Sequence, residues 1–398
     1  MTKIILKKGR EESLRRFHPW VFSGAIAQIV GEPAEGDIVG VFAHDGSFLA
    51  YGHYQIGSIA VRVLSFSGED VLGPDFWTAM LSKALKMRQA AGLTSDSSTN
   101  CFRLVHGEGD GLPGLIIDWY DGVCVMQAHS VGMFRAKTAI CEALKSVFGD
   151  SLKAVYDKSS GTAPFKAGLD LVDGYIYKAD GFSDDEQVVL ENGNKFLVNW
   201  TEGQKTGFFL DQRENRNLVG RYSKGRNVLN LFCYTGGFSI YALNNGAVHV
   251  DSVDSSKKAV EMVTRNMALN GFDAGLHEDI CTDAMDFLRD VPEDKYDLMI
   301  VDPPAFAKHR GALSNALRAY QRLNAAAISK VAPGGLVFTF SCSQVVDKEA
   351  FALAVFSAAA QTGRSVRILD RLNQPADHAV NIYHPEGEYL KGLLLYVE

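Results

Sequence analysis

Short apolar segments alternate with longer amphipathic segments from about residue 225 onward. The segments NVLNLF, VHVDSVD, YDLMIVD and GLVFTFS have the composition of buried strands, and residues 256–271 have the periodicity of a helix. This alternation constrains the fold more than any other feature, because it is typical of a doubly wound parallel sheet. Ligands of such sheets bind beyond the carboxyl ends of the strands, so the residues at those ends are the candidate functional residues.

The residues at the ends of the first strands predict a nucleoside-containing cofactor. The first strand runs into FCYTGGF, where Gly236 lets the backbone approach a ligand closely, and the second ends at Asp254, which suits a pair of ribose hydroxyls. Asp254 could instead cap the following helix. Asp283, at the expected end of a third strand, could accept a hydrogen bond from an adenine amino group. The turn lacks the GxGxxG pattern, which disfavours an NAD-dependent dehydrogenase.

The next two strand ends indicate chemistry on a planar base. One strand ends in DPPAF, where Asp302 precedes two prolines that stiffen the turn and an aromatic residue, Phe306. The other ends in TFSCS, which contains Cys342. A strand cysteine is usually a buried apolar residue, but the expected position of Cys342 across the sheet from Asp302 favours a reactive thiol. Cys233, in the glycine turn, is interpreted as packing against the cofactor pocket.

The chain ahead of this region predicts two smaller domains. Residues 1–75 have short strands separated by glycine turns, typical of a small all-β barrel. Residues 76–182 mix strands with helices, which we predict over 74–93 and 134–148, and 94–100 is predicted as a loop.

Two hairpins complete this prediction. One turns at Asp121-Gly122, and another turns at Asn192-Gly193 and leads into the third domain, residues 183–398. The predicted fold class is therefore α/β: a Rossmann-like C-terminal domain, preceded by a small α+β domain and an N-terminal all-β barrel.

The charge and cysteine content limit the function classes. The net charge of −7 argues weakly against nucleic acid, but residues 1–20 and residues 205–226 each hold six Lys and Arg against two acids. These segments fit a local RNA footprint or two solvated faces equally well. None of the six cysteines forms a Cys-x-x-Cys pair, and no signal peptide is evident. We predict a cytoplasmic protein with no membrane segment and no metal.

The motifs together resemble those of the bacterial class I methyltransferases that form 5-methylcytosine in 23S ribosomal RNA. Residues 6–26 are similar to that family's amino-terminal PUA module, a small RNA-binding β fold. Similarity to its methyltransferase signatures is found in GQKTGFFLDQRENR, NLFCYTGGF, DPPAF, TFSCS and PADHAVNIYHPEGEYLKG. GQKTGFFLDQR and PEGEYLKG are the most specific of these. Ala305 departs from the pattern, because some relatives carry Lys there.

The resemblance implies S-adenosylmethionine as cofactor and ribosomal RNA as partner, and it leaves a homodimer open. Cys342 would add to C6 of a cytosine while Asp302 supplies or shares a proton at N3, which activates C5. We expect a lowered pKa for the Cys342 thiol. The residues implied in cofactor binding are Asp211, Arg213, Phe232, Tyr234, Gly236, Asp254, Ser255, Asp283 and Asp302. Those implied in substrate binding are Pro303, Pro304, Phe306, Lys8, Arg10, Arg15 and Arg16.

Several alternatives stay open. Asp211, predicted to meet the methionine amino group, could cap a helix, and Arg213, predicted to meet the methionine carboxylate or an RNA phosphate, could lie on a charged face. Trp20 is predicted to be a core residue rather than a platform for a base. The protein could be a guanine or amino-group RNA methyltransferase in which Cys342 is structural, or a non-catalytic RNA-binding assembly factor.

Overall fold

The computed structural model describes residues 2–68, 73–95, 97–164 and 168–398, which form two compact units. Unit 1 comprises Met1–Gln187, Val198–Leu210 and Ala376–Gly387, and unit 2 comprises Val188–Leu197, Asp211–Pro375 and Glu388–Glu398. The domain boundaries predicted after residues 75 and 182 remain predictions. Residues 69–72, next to the first boundary, lie outside the described residues. So does residue 96, which falls within the loop predicted over 94–100.

Unit 1 begins with a six-stranded sheet in which the strand order is β2-β6-β5-β4-β1-β3. Its strands are β1 (Lys3–Leu6), β2 (Trp20–Phe22), β3 (Ile26–Val30), β4 (Ile38–Phe42), β5 (Phe48–Tyr54) and β6 (Ile59–Ser65), and the short helix α1 spans Glu12–Arg15. Alternate apolar side chains such as Ile4, Val39 and Val61 are fully buried and form its core. The predicted all-β character of this segment is confirmed.

A five-stranded sheet with three helices follows in unit 1, and its strand order is β11-β10-β9-β8-β7. The elements are α2 (Pro74–Ala90), β7 (Cys101–His106), β8 (Leu115–Tyr120), β9 (Val123–Ala128), α3 (Val131–Arg135), α4 (Lys137–Phe148), β10 (Ala154–Asp157) and β11 (Gly174–Lys178). The single helix predicted over 134–148 is wrong at its start. The Ser130 side chain accepts from the amide of Met133 and begins α3 earlier, and the last residue before α4 is Ala136.

Both predicted hairpin turns are confirmed. Asp121 and Gly122, between β8 and β9, have φ of 42° and 98°. Asn192 and Gly193 have φ of 49° and 80° and join β12 (Glu186–Glu191) to β13 (Asn194–Asn199). Two consecutive left-handed residues match the right-handed twist of the flanking strands, which is why Asn-Gly and Asp-Gly predict such turns well.

Unit 2 is built on a seven-stranded sheet in which the strand order is β16-β15-β14-β17-β18-β20-β19. Its strands are β14 (Asn227–Leu231), β15 (His249–Asp254), β16 (His277–Cys281), β17 (Tyr296–Val301), β18 (Val331–Ser341), β19 (Val366–Asn373) and β20 (Lys391–Val397). Its helices are α5 (Arg213–Ser223), α6 (Gly237–Asn244), α7 (Lys257–Leu269), α8 (Ala284–Asp290), α9 (Leu313–Lys330) and α10 (Lys348–Thr362). The first five strands in this order are parallel. β20 runs antiparallel to β18, and β19, which is antiparallel to β20, therefore runs in the same direction as the first five. The predicted Rossmann-like class is confirmed.

The strand order of unit 2 reverses between β14 and β17, which are direct neighbours. The residues Leu229, Leu231, Met299, Val301 and Val337 in the central strands are fully buried, as parallel strands covered on both faces require. A crevice forms beyond the carboxyl ends of strands at such a reversal, and this edge is the expected ligand site. Among the described residues, no helix has the length and hydropathy to cross a bilayer.

Candidate active site

The turn after β14 holds an unusual backbone. Phe232 and Tyr234 have φ of 59° and 47°, in the left-handed region that residues other than glycine seldom occupy. Gly236 has φ of 80°, and a Cβ there would lie 2.9 Å from a methyl group of Val263. Only glycine fits this position, so the backbone opens the first turn of α6 without a side chain in front of it. Non-glycine residues held in this region cluster at ligand sites.

The Asp254 carboxylate supports this turn from the end of β15. Its Oδ2 accepts from the Tyr234 amide at 3.0 Å, and its Oδ1 accepts from the Ser256 amide at 2.9 Å. The helix cap is made by the Ser256 side chain, which accepts from Ala259. Each carboxylate oxygen can accept a further bond, so Asp254 retains capacity for ribose hydroxyls. Ser255 is exposed beside it.

Asp283 follows β16, as predicted, and is exposed. Its Oδ1 accepts from the amides of Met285 and Asp286 at 2.8 and 3.1 Å and caps α8. The predicted contact with adenine would therefore be made by a side chain whose direction the cap already fixes.

Asp211 has a buried oxygen that lacks a hydrogen-bond partner. Its Oδ2 accepts from the Tyr389 hydroxyl at 2.6 Å, whereas its Oδ1 is shielded from solvent and receives no hydrogen bond. A buried carboxylate oxygen without a donor is costly, and an ammonium group is a suitable donor for it. Asp211 therefore fits the methionine amino group of S-adenosylmethionine. It does not use its side chain as a helix cap.

The Arg213 and Arg216 side chains are buried, which makes the expectation of an exposed basic face over 205–226 wrong for these two residues. Arg216 donates to both carboxylate oxygens of Glu191 at 2.7 Å, and the Nε of Arg213 lies 3.5 Å from the same carboxylate. The pair of arginines around one buried acid holds the start of α5 against the β12–β13 turn.

Asp302 lies directly beyond β17, with its carboxylate partly buried. The Gln212 side-chain amide donates to its Oδ2 at 3.0 Å, and Gln212 in turn accepts from Asn215 at 2.6 Å. Burial and the nearby Asp211 carboxylate raise the pKa of Asp302 to about 7. Asp302 can thus gain or lose a proton near neutral pH, as proton transfer to a base requires.

Cys342 lies directly beyond β18, the neighbour of β17. The pairing of Val301 with Thr339 brings the ends of these two strands together. Burial, followed by the charges of Asp302 and Asp211, raises the pKa of the Cys342 thiol to about 12. The expectation of a lowered pKa is therefore wrong for the protein's own charges, because two carboxylates and burial outweigh the nearby basic residue.

That basic residue is Lys391, the first residue of β20, which pairs with Ser341. Its ammonium group is buried, donates to the Ser343 carbonyl at 2.5 Å and also donates to the Val346 carbonyl. Burial lowers the pKa of Lys391 to about 8, and its positive charge lowers the pKa of the Cys342 thiol. Lys391 both fixes the loop after Cys342 and places a cation beside the thiol.

The DPPAF turn packs against the end of β18, the strand that precedes Cys342. Pro303 is buried and Pro304 is exposed, and the Phe306 ring lies 4.7 Å from the Tyr320 ring between centroids. Tyr320 also accepts a hydrogen bond from Ser341 at 2.9 Å. The turn is thus held against the β18 end by an aromatic pair, and the predicted base-binding side chains share one edge with Asp302.

The predicted RNA-binding residues of the amino-terminal segment lie in unit 1. Lys8, Arg10, Arg15 and Arg16 are all exposed around β1 and α1. Trp20 is partly buried rather than fully buried, and its indole N–H donates to Glu108 at 2.8 Å. The sequence predicts these four basic residues as a group, and their exposure leaves their charges available to phosphates.

Four residues of the unit 2 site were not singled out from the sequence. Gln212 and the pair Tyr389 and Lys391 lie inside the two most specific motifs, GQKTGFFLDQR and PEGEYLKG, so the signal for them was present. Glu191 gives no signal of its own, because only the fold brings it to Arg213 and Arg216.

Comparison with known proteins agrees with this geometry. Residues 102–394 match the family model for S-adenosylmethionine-dependent methyltransferases, and residues 4–66 match a PUA-like domain. The chain is 40% identical to ribosomal RNA large subunit methyltransferase I of Aeromonas hydrophila, over 99% of each chain, and 39% identical to that of Shewanella amazonensis, over 98% of each. A solved structure of SMU.776, a methyltransferase complexed with SAH, has the same fold, with a TM-score of 0.85, 22% identity and complete coverage of both chains.

The predicted PUA-like segment, the fold class and the S-adenosylmethionine cofactor are thereby confirmed. A glycine turn, an acid at the end of β15 and a carboxylate oxygen of Asp211 without a hydrogen-bond partner, all on one sheet edge, suit that cofactor. The chain belongs to the S-adenosylmethionine-dependent methyltransferases and, among them, to the family of ribosomal RNA large subunit methyltransferase I.

Proposed function

We propose that the protein methylates C5 of a cytosine in 23S ribosomal RNA through a covalent adduct between Cys342 and C6. The observation that carries the proposal is the pairing of a thiol and an acid at neighbouring strand ends. Asp302 has a pKa of about 7, and burial, followed by the charges of Asp302 and Asp211, raises the pKa of the Cys342 thiol to about 12. Between these values the pair holds one proton, on the thiol, and the ionised Asp302 can accept it.

The shared proton gives each group a role. Cytosine C5 is a weak nucleophile until a thiolate adds at C6. The thiol of Cys342 passes its proton to the ionised Asp302 as the sulfur–C6 bond forms, and Asp302 delivers that proton to N3. S-adenosylmethionine supplies the methyl group that C5 receives. A base then removes the C5 proton, and the sulfur–C6 bond breaks to release the Cys342 thiolate. The N3 proton returns through Asp302 to this thiolate, which restores both side chains to their starting state.

The RNA part of the proposal rests on unit 1 and on the relatives. The relatives are named for ribosomal RNA of the large subunit, and they match this chain from end to end. The exposed residues Lys8, Arg10, Arg15 and Arg16 provide positive charge for phosphates in a chain whose net charge is −7. A flipped or unpaired cytosine would meet the edge formed by Asp302 and Phe306.

A second candidate is an amino-group or guanine RNA methyltransferase, which the high pKa of the Cys342 thiol favours. In that reaction the DPPAF turn would hold the amine, and Cys342 would stay a neutral, structural thiol.

An RNA that carries 5-fluorocytidine separates the two reactions. Fluorine at C5 cannot leave as a proton, so a covalent adduct would persist through denaturation. We expect a denaturation-resistant protein–RNA band in the presence of S-adenosylmethionine. The band should disappear in Cys342→Ala and remain in Cys281→Ser, which changes an exposed thiol. Full methyl transfer by Cys342→Ala would overturn the covalent mechanism and support the amino-group reaction.

The position of the product tests the substrate. Mass mapping of ribosomal RNA from cells with and without the gene should show one 5-methylcytosine in 23S RNA that depends on the gene. A missing methyl group on guanine or on an exocyclic amine would instead favour the second candidate.

A further inference from the structure

Three side chains of unit 1, His18, His384 and Glu386, form a cluster away from the chemistry described above. One ligand atom from each lies within 4.8 Å of the others. The Nε2 of His18 and the Nε2 of His384 each lie 3.8 Å from a carboxylate oxygen of Glu386. The sequence predicts no metal, because none of its cysteines forms a Cys-x-x-Cys pair.

His384 is the unusual member of this cluster. It is 3% exposed, and neither ring nitrogen receives or donates a hydrogen bond. A buried imidazole without any partner is costly and rare in folded proteins. The Trp20 ring packs against it with centroids 4.3 Å apart, and the main chain of His384 is held by a hydrogen bond to the Asn381 carbonyl at 2.8 Å. The ring is therefore fixed in place with both of its polar atoms unused.

His18 is oriented towards the same point. Its Nδ1 accepts from the Trp20 amide at 3.3 Å, which leaves Nε2 towards Glu386. The imidazole rings of His18 and His384 lie 5.5 Å apart between centroids. A second partner on the remote nitrogen is the usual way in which a protein orients a metal-binding histidine.

We propose that His18, His384 and Glu386 bind one Zn²⁺ ion, or a transition metal of similar preference, with water as the fourth ligand. Two imidazoles and one carboxylate are a known tetrahedral zinc ligand set that keeps one position open. Tetrahedral coordination needs ligand atoms about 3.3 Å apart, given bonds of about 2.0–2.1 Å. The two separations of 3.8 Å, which end at different oxygens of Glu386, thus require only a small contraction, and any two of the three ligand atoms lie within 4.8 Å.

The surroundings are compatible with a cation. Arg62 lies near this cluster, over the Trp20 ring that packs on His384. The Arg62 charge is balanced by Glu108, to which it donates at 2.9 Å. The Glu386 side chain is 54% exposed, which gives an ion a path from solvent and lets this ligand move.

Such an ion would fasten two distant parts of unit 1. His18 precedes β2, whereas His384 and Glu386 belong to the segment 376–387, which returns to unit 1 late in the chain. Binding to the folded form alone would raise the stability of unit 1 with the logarithm of the free metal concentration, once that concentration exceeds the dissociation constant.

Calorimetric titration of the metal-stripped full-length chain with Zn²⁺ tests the proposal. We expect one ion per chain and a rise in the thermal midpoint. Glu386→Gln, which alters a half-exposed side chain, and His18→Asn should each weaken binding by at least about tenfold, as the loss of one ligand among three implies. The matched control is His44→Asn, an exposed histidine of the same unit, which should bind as the wild type does.

A second readout does not depend on affinity. Co²⁺ bound in place of Zn²⁺ should give the visible absorption of a tetrahedral site and quench the fluorescence of Trp20, and Trp20→Phe should remove that quenching. The absence of binding would overturn the proposal. Binding that both ligand variants retain would also overturn it, because the ion would then lie elsewhere. Both measurements leave the proposed methyl transfer untouched.

Discussion

The two sides of the strand reversal in unit 2 are built in different ways. On the β15 side, both oxygens of Asp254 accept backbone amides, and the turn after β14 is held in a left-handed backbone. On the β17 side, Asp302 accepts a hydrogen bond from the side-chain amide of Gln212, and the pKa values of Asp302 and Cys342 lie far above their ordinary range. Backbone hydrogen bonds fix the β15 side, whereas the β17 side carries ionisable side chains whose burial raises their pKa values.

This contrast predicts that substitutions on the two sides separate turnover from cofactor affinity. The largest effect is expected for Asp302→Asn, because asparagine keeps the shape but cannot carry the proton for N3. We expect kcat to fall by about 10²- to 10⁴-fold, the usual range for a lost general acid. The dissociation constant for S-adenosylmethionine, measured by calorimetry, should change little. A fall in cofactor affinity that accounts for the whole loss would break the comparison.

The opposite change is expected for Asp254→Asn. One of the amides of Tyr234 and Ser256 must then face an N–H₂ group, and the charge for the ribose hydroxyls is lost. Hydrogen bonds to charged groups contribute about 1.5–3 kcal/mol, so the cofactor should bind about 10- to 100-fold more weakly. At saturating cofactor, kcat should stay within a few-fold of the wild type. Asp286→Asn, an exposed acid on α8, is the matched control.

The pH dependence of a single turnover sharpens the description of the β17 side. The reactive pair carries one proton, so the rate should fall about tenfold per unit as pH decreases below about 7, where Asp302 becomes protonated while the thiol stays protonated. Between about pH 7.5 and 9 the rate should be level. A rate that keeps rising tenfold per unit over that interval would show that thiol ionisation alone limits the reaction.

The smallest effect is on stability. The pKa of Asp302 is raised from 3.8 to about 7 in the folded protein, so the neutral form is favoured by folding. Stability is then present at low pH and is lost as pH rises from about 4 to 7. Asp302→Asn avoids this loss, and its thermal midpoint should exceed that of the wild type by a few degrees at pH 8. At pH 4 the two midpoints should converge, and a constant difference at both pH values would contradict the raised pKa.

The sequence predicts the parts of this molecule that depend on local pattern. Four of the five parallel strands of unit 2 agree with the prediction to within a residue or two, except that β18 begins at Val331 rather than at residue 335. The fifth, β16, is predicted only by its end near Asp283, and the turns at Asp121-Gly122 and Asn192-Gly193 lie where they are predicted. These features follow from apolar periodicity and from residues that tolerate a positive φ. The strand ends could be named for the same reason, because parallel strands expose their carboxyl ends on one edge.

The parts that depend on distant contacts were not predictable. Glu191 binds Arg216 only because the β12–β13 turn folds beside α5, and nothing near Glu191 in sequence indicates this. The thiol pKa was expected to fall, because the sequence does not show that two carboxylates outweigh Lys391 beside Cys342. The break between α3 and α4 was missed, because the apolar periodicity continues through Ala136.

The chain passes between its two units five times, after residues 187, 197, 210, 375 and 387. A single recombination event, or a single engineered cut, therefore cannot transfer either unit intact to another protein. The two units must be inherited together, and neither can be replaced as a single continuous module. A swap of unit 1 would have to replace residues 198–210 and 376–387 together with residues 1–187. A swap of unit 2 would have to replace residues 188–197 and 388–398 together with residues 211–375.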